Sequence, residues 1–327
     1  MSITIIKPGI ISSVQDLGRW GFQQYGVPIG GAMDKVAAAL ANIICGNDQQ
    51  EPVIEMTLHG TSILFNASAY CALTGGGCKA YIDDIELPFN RLLYVPAYST
   101  ISTRPADWGC RAYLSVAGGL EINKEMGSAS TYVPAALGGI GGRNLMTGDM
   151  IQFRKNHVEH RPATVKKGSD QMGFSQWQVP DLTTNRKDPA SICVLPGPEF
   201  GLFDARAQEN LFNAVFTISP QSNRMGYRLE GEQLGLKRKI EMVSTAVTAG
   251  IIQVTHEGIP VVLMADAQTM GGYPRIGRIC SADIPLLAQM RPGRKIKFVK
   301  IDEEETAFRF SKLNESLTKI KNSLQIL

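Results

Sequence analysis

Gly258-Ile259-Pro260-Val261-Val262-Leu263-Met264-Ala265 decides how this chain reads. A short apolar run rich in β-branched residues, opened by Gly and Pro, predicts a strand buried on both faces. The chain leaves it through Asp266-Ala267-Gln268-Thr269-Met270-Gly271-Gly272-Tyr273-Pro274. A carboxylate, an amide and a hydroxyl follow one another there, and then comes a Gly-Gly turn where backbone can approach a ligand closely. Polar groups leaving a buried strand must be paired or used. Asp266 and Thr269 can be paired by local backbone. They can equally serve a ligand.

Two other segments share this character. Gln15-Asp16-Leu17-Gly18-Arg19-Trp20-Gly21 leads through Tyr25-Gly26-Val27-Pro28 to Gly30-Gly31-Ala32-Met33-Asp34. Ser222-Asn223-Arg224-Met225-Gly226-Tyr227-Arg228-Leu229 is the other. Arg suits carboxylate and phosphate because its planar fork gives paired hydrogen bonds. Brought together by the fold, three Gly-spaced polar segments would make a ligand site.

The surrounding chain reads as mainly β. Ile63-Leu64-Phe65, Tyr70-Cys71-Ala72-Leu73, Arg91-Leu92-Leu93-Tyr94-Val95 and Ile251-Ile252-Gln253-Val254 are short strands between Gly, Pro, Asn and Asp turns. Such spacing favours a barrel or sandwich. Two halves echo each other. Gly109 through Gly119 resembles Gly258 through Gly272, and the endings Met146–Phe153 and Arg291–Phe298 are both a Gly turn feeding a strand. The expected division is an N-terminal β domain over 1–155, a polar linker over 156–190, a C-terminal β domain over 191–300, and an amphipathic helix over 301–327. Helices are few. Asp34 caps Lys35 to Cys45, with Gly46-Asn47 as the stop. Phe203 to Phe216 is a second helix. In the third, Leu313, Leu317, Ile320, Leu324 and Leu327 form a stripe that docks on the body or meets a partner.

A length of 327 residues suits two domains, and a formal net charge of +3 points neither toward nor away from nucleic acid. Met1 to Pro8 reads as a first strand rather than a signal peptide, and no apolar run is long enough to span a bilayer, so a cytoplasmic protein is expected. The six cysteines are scattered without a Cys-x-x-Cys pair and read as small buried hydrophobes. His157-x-x-His160 has metal-like spacing but basic neighbours, and reads as linker; no metal site is expected.

No phosphate-loop, dinucleotide or nucleophile-elbow motif occurs. Gly75-Gly76-Gly77-Cys78-Lys79 comes nearest to a phosphate loop and reads as a hairpin turn. Asp and Arg chemistry remains. Asp16, Asp34 or Asp266 could act as a general base or orient water, and Arg19, Arg224 or Arg275 could hold an anion. Gln268 and Thr269 could bond an amide. The competing assignments are a helix cap for Asp34, turn bonds for Asp16 and Asp266, and ion pairs for the arginines.

Several motifs then converge. Val14-Gln15-Asp16-x-Gly18-Arg19-x-Gly21, Gly26-Val27-Pro28-x-Gly30-Gly31-Ala32-Met33-Asp34, Glu55-x-Thr57-Leu58-x-Gly60 and Tyr113-Leu114-x-Val116-Ala117-Gly118-Gly119 occur in order. Ser222 through Gly231, Gly250-x-Ile252-Gln253-Val254 and Asp266 through Pro274 follow. Together, from about Ile5 to Phe298, they resemble the biotin-dependent carboxyltransferase / allophanate hydrolase subunit 2 family. One departure is Gly127-Ser128-Ala129-Ser130-Thr131, where the family pattern has Arg at the third position.

The resemblance implies two cyclophilin-like β-barrel domains with a few helices. For a stand-alone chain of this length it implies the C component of an ATP-dependent 5-oxoprolinase, opening the lactam of 5-oxoproline to L-glutamate. Partners would be a Kip-inhibitor-like subunit (the B component) and a third subunit (the A component), with ATP bound in the complex rather than by this chain alone. Asp266, Asp16 and Gln268 would be catalytic; Arg19, Arg224, Thr269, Gly271, Gly272 and Tyr273 would bind substrate. The same resemblance leaves two other functions open: carboxyl transfer to urea or a similar amide, with biotin supplied in trans, or regulation through a Kip-inhibitor-like protein without catalysis.

Overall fold

The computed structural model describes residues 1–155, 172–182, 187–238 and 240–326. The chain divides into two compact units. Unit 1 holds Met1–Arg19, Asp34–Thr183 and Glu315–Leu327; unit 2 holds Trp20–Met33 and Thr184–Asn314. The architecture is mainly β, as the turn-punctuated sequence predicts.

In unit 1 the strands are β1 (Ser2–Pro8), β2 (Ile11–Gln15), β3 (Val53–Thr57), β4 (Thr61–Phe65), β5 (Ala69–Gly75) and β6 (Cys78–Ile82). They continue with β7 (Ile85–Leu87), β8 (Leu92–Val95), β9 (Thr100–Pro105), β10 (Arg111–Val116), β11 (Met150–Gln152) and β12 (Gly173–Phe174). Two six-stranded sheets result, ordered β11-β1-β4-β9-β6-β7 and β12-β8-β5-β10-β3-β2. Alternate residues of both sheets meet in one core, among them Ile3, Phe65, Leu73, Leu93 and Leu114. The Gly75–Gly77 turn is therefore not a hairpin. It carries the chain from β5 in one sheet to β6 in the other, and the paired neighbours of each lie elsewhere.

Helix α1 (Lys35–Cys45) has the predicted ends. Asp34 accepts a hydrogen bond from Ala37 N at 2.8 Å, and Gly46 closes the helix at φ 74°. Every residue from Val36 to Cys45 is buried, and the helix lies against β3, β5 and β10. Beneath it, the Tyr113 hydroxyl donates to Glu55 Oε2 at 2.9 Å and accepts from Asp34 N at 2.8 Å. Burial pushes the Tyr113 phenol well up, and the Glu55 and Asp34 charges add to that.

In unit 2, β13 (Ala190–Pro196), β14 (Val215–Ile218), β15 (Gly226–Glu230), β16 (Thr245–Ala246), β17 (Ile251–Val254) and β18 (Pro260–Leu263) come first. Then follow β19 (Met270–Gly271), β20 (Arg275–Ile279) and β21 (Lys295–Lys300). Seven of them close a barrel in the order β13-β20-β17-β18-β15-β14-β21, while β16 and β19 pair as a separate ribbon. The barrel interior is apolar, with Ile192, Phe216, Ile252, Val254, Val262 and Phe298 in it, and Met33 joins this core from the N-terminal insert. The expected helix over Phe203–Phe216 is shorter. Helix α2 spans Ala205–Asn213, and Val215 opens β14, because β-branched and aromatic residues there complete the barrel ladder. Helix α3 (Ile284–Ala288) is short. Helix α4 (Glu303–Ile326) carries the expected stripe, with Leu317 and Leu324 buried and Leu313 and Ile320 half-buried, which is the docked alternative. Leu327 and the His157/His160 pair lie outside the described residues. No described helix is long and apolar enough to cross a membrane.

Glu199 and Arg275 tie the start of β20 to the segment after β13. Arg275 Nε and Nη2 donate to the two carboxylate oxygens at 2.7 and 2.6 Å, and Arg275 N adds a third bond at 3.0 Å. The Arg275 side chain holds the Glu199 carboxyl below its ordinary value, against the opposing effect of burial.

Two expectations follow. Tyr113→Phe leaves a buried carboxylate and a backbone N–H each short of a partner, and should lower unfolding stability by about 1–3 kcal/mol, read from urea midpoints. Because the Glu199 value is lowered by folding, its contribution is fully present above the unfolded glutamate value of about 4.3 and is lost as pH falls through the folded value. The melting difference between the native chain and Glu199→Gln should thus be constant near neutrality and shrink below about pH 4.

Candidate functional site

The residues after β18 and those before β15 form one cluster on unit 2. β15 and β18 pair from Gly226↔Leu263 onward, and the pairing continues past their ends: Met264 N donates to Met225 O at 3.0 Å and Asp266 N to Arg224 O at 2.9 Å. This register sets the Arg224 and Asp266 side chains side by side. Arg224 Nε donates to Asp266 Oδ2 at 2.7 Å, and Nη2 to Oδ1 at 2.9 Å. Nη2 also reaches Gly31 O at 2.6 Å, while Gly30 N donates to Ala265 O at 3.1 Å. Gly30 sits at φ +62°, and a Cβ there would lie 3.6 Å from Asp266 Oδ1. The side chains of Arg224 and Asp266 are only 18% and 8% exposed. A two-bond fork at such depth is the arrangement that lets both charges persist.

The chain then folds back over β17. Thr269 is buried, and its carbonyl accepts from Val247 N at 2.9 Å. Met270 and Gly271 pair with Ala246 and Thr245. Gln268 is exposed, yet its Nε2 donates to Gln253 Oε1 at 3.3 Å. Gln253 is 2% exposed, and its own Nε2 donates to Tyr273 O at 3.3 Å. A Cβ on Gly271 would come 2.5 Å from Gln253 Nε2, and one on Gly272 would meet Met242 O and Ser244 Oγ at 3.5 Å. The close approach expected of the Gly-Gly turn is therefore to the protein's own chain. Tyr273 stays partly exposed, its ring edge-on to His256 with centroids 5.2 Å apart. Gln253 is absent from the residues expected to form the site. Its signal was an amide inside the apolar run Ile251-Ile252-Gln253-Val254.

Asp16 and Arg19 have different surroundings from those expected of catalytic and substrate-binding groups. Both belong to unit 1 and both are buried. Asp16 Oδ1 accepts from Gly18 N at 2.8 Å, Ser128 Oγ at 2.7 Å and Ser130 Oγ; Oδ2 accepts from Ala129 N at 2.7 Å. Arg19 Nε and Nη2 donate to the carbonyls of Glu125 and Ser130, each at 3.0 Å. Asp16 is thus a knot that fixes the 128–130 loop, and Arg19 a strut across it. Ala129 is fully buried with its N–H on that knot. Asp34 caps α1. Arg275 is occupied by Glu199.

The implied ATP finds no cradle in the Gly75–Gly77 turn. A Cβ on Gly77 would come 2.6 Å from the Cys110 carbonyl carbon, and one on Gly109 2.5 Å from Gly77 N, so backbone already fills the turn. The six cysteines are all buried and unbonded to one another. Burial holds the Cys71, Cys193 and Cys280 thiols above their usual range, Cys193 at about 12, which leaves them unreactive as nucleophiles near neutrality.

The chain as a whole has similar proteins of known name. The chain is 39% identical over 303 residues to the C subunit of Escherichia coli 5-oxoprolinase, covering 93% of this chain and 92% of that one. It is 34% identical over 296 residues to the C subunit of Haemophilus influenzae 5-oxoprolinase, covering 90% of each. The crystal structure of the K. lactis urea amidolyase superposes with a TM-score of 0.88 at 27% identity, over 98% of this chain and 20% of that one. The model of the carboxyltransferase domain, subdomain A and B, matches residues 25–300, and the chain belongs to that family.

Proposed function

We propose that this chain is a component of an ATP-dependent 5-oxoprolinase that opens the lactam of 5-oxoproline to L-glutamate. The observation that carries the reading is the near end-to-end likeness to the C subunit of the Escherichia coli enzyme. A lactam is unreactive toward water. Opening it requires a held substrate carboxylate, compensation of the charge that develops on oxygen, and a positioned water.

The Arg224–Asp266 cluster offers parts of this. Asp266 and Arg224 fix each other where the 268–273 segment begins, so the polar groups which that segment carries are held without having to be ordered on binding. Two acceptor positions on the Asp266 oxygens are taken by the fork, and the others can orient a water or take its proton. Gln268 reaches solvent with an amide, and Tyr273 flanks it. Thr269, Gly271 and Gly272 shape the segment that carries these groups. Asp16 and Arg19 hold a loop in unit 1. ATP binding belongs to the partners in this reading, a Kip-inhibitor-like B component and an A component, and the ATP-dependent complex works in the cytoplasm.

Carboxyl transfer is the second reading, favoured by the fold shared with the K. lactis urea amidolyase. It requires a carboxybiotin carrier. A purely regulatory chain would tolerate loss of the cluster.

The test uses this chain co-purified with the products of its neighbouring genes. Asp266→Ala leaves Arg224 displaced and should cut ATP-dependent glutamate release on the order of 100-fold, the size of effect that an ångström of misplacement produces. Arg224→Lys loses the fork and should act in the same direction. Unchanged release in both variants would remove the cluster from the reaction. No release from the intact native complex, with carboxylation of urea by an added carboxybiotin carrier, would establish the second reading.

A further inference from the structure

We infer that Gln253 is a positioning residue, which sets the face that the Gln268 amide turns toward the substrate. The inference rests on the reading of Gln268 as a substrate-facing group. It starts from strand alternation. Ile252 and Val254 point into the barrel core, so Gln253 stands on the outer face of β17. An outer residue is ordinarily wet, but Gln253 is buried because the 268–273 segment lies across it. An apolar side chain would cover that spot without any polar group to satisfy. A buried amide there is costly unless its donor and acceptor are both used, and here both are.

The two bonds have different consequences. Gln253 Nε2 holds the Tyr273 carbonyl, and so the end of the segment. Gln253 Oε1 holds Gln268 Nε2, and so the segment's exposed amide. The nitrogen and oxygen of an amide diverge from one carbon. With its nitrogen tied inward, Gln268 turns its Oε1 outward as an acceptor. A free glutamine at that exposed position would present either end and would lose more rotamer entropy on binding. The outward acceptor suits a substrate N–H, such as that of a lactam, or a water whose proton must be aligned. Gly271 is part of the same device, since any side chain there would push against Gln253 Nε2.

A double-mutant cycle in the assembled complex tests this, with kcat/KM for 5-oxoproline as the readout. Gln253→Leu should lower kcat/KM about tenfold when Gln268 is present and less than twofold in the Gln268→Ala background. Gly271→Ala, which displaces the Gln253 amide without deleting it, should show the same coupling to Gln268 and serves where Gln253→Leu does not assemble. Equal fold losses in both backgrounds would overturn the inference and leave Gln253 a purely structural amide. Native kcat/KM in Gln268→Ala alone would overturn it differently, by removing Gln268 from the proposed site. A merely structural role lowers melting temperature without producing the coupling.

Discussion

Asp266 is a carboxylate almost withdrawn from water, and the form of the unit 2 cluster follows from the partners gathered around it. A lone carboxylate at that depth would be strongly disfavoured. Arg224 answers with two parallel donors, and a third contact from the same guanidinium goes to the Gly31 carbonyl. Both partners adjoin strands paired in the barrel ladder, so the fork inherits the rigidity of β15 and β18. The left-handed Gly30 and the bond from Gly30 N to Ala265 O bring the 30–31 backbone up to the same point. One ion pair thereby fixes three stretches of chain that are far apart in sequence.

The same logic separates this cluster from the one at Asp16. Both carboxylates are buried, but Asp16 is surrounded by two serine hydroxyls and two backbone N–H groups of unit 1. Those donors are neutral and local, and they close a loop. Asp266 faces a cation, and Gln268, two residues on, is exposed. The proposed division of roles between the two aspartates follows from that difference in company.

What could be read in the sequence was what local chemistry dictates. The cap at Asp34 and the stop at Gly46 are decided within a few residues of themselves, and α1 has those ends. The strand character of 260–263 and the polar exit after it were equally plain. Pairing partners were not. Gly75–Gly77 has the composition of a hairpin turn, and only the distant partners of β5 and β6 reveal that it joins two sheets. Val215 and Phe216 suit a helix by continuity with α2 and a strand by propensity, and the barrel settled the matter. Asp16 and Arg19 carry the same letters as ligand-binding residues, and nothing in the string tells a saturated carboxylate from an available one. Gln253 could have been found, because an amide amid Ile and Val on a strand calls for a partner.

Unit 2 has a chain topology with a practical consequence. Its Arg224 clamp ends on Gly31, in a segment lying between stretches assigned to unit 1. A fragment begun at Asp188 carries the whole barrel ladder, yet it lacks the Gly31 carbonyl, the Gly30 bond to Ala265 and the Met33 side chain of the barrel core. During synthesis residues 20–33 emerge long before the barrel they complete. Recombination between relatives just before Asp188 would therefore pair each barrel with a foreign 20–33 segment, and that segment has to travel with the C-terminal half for the exchange to be silent.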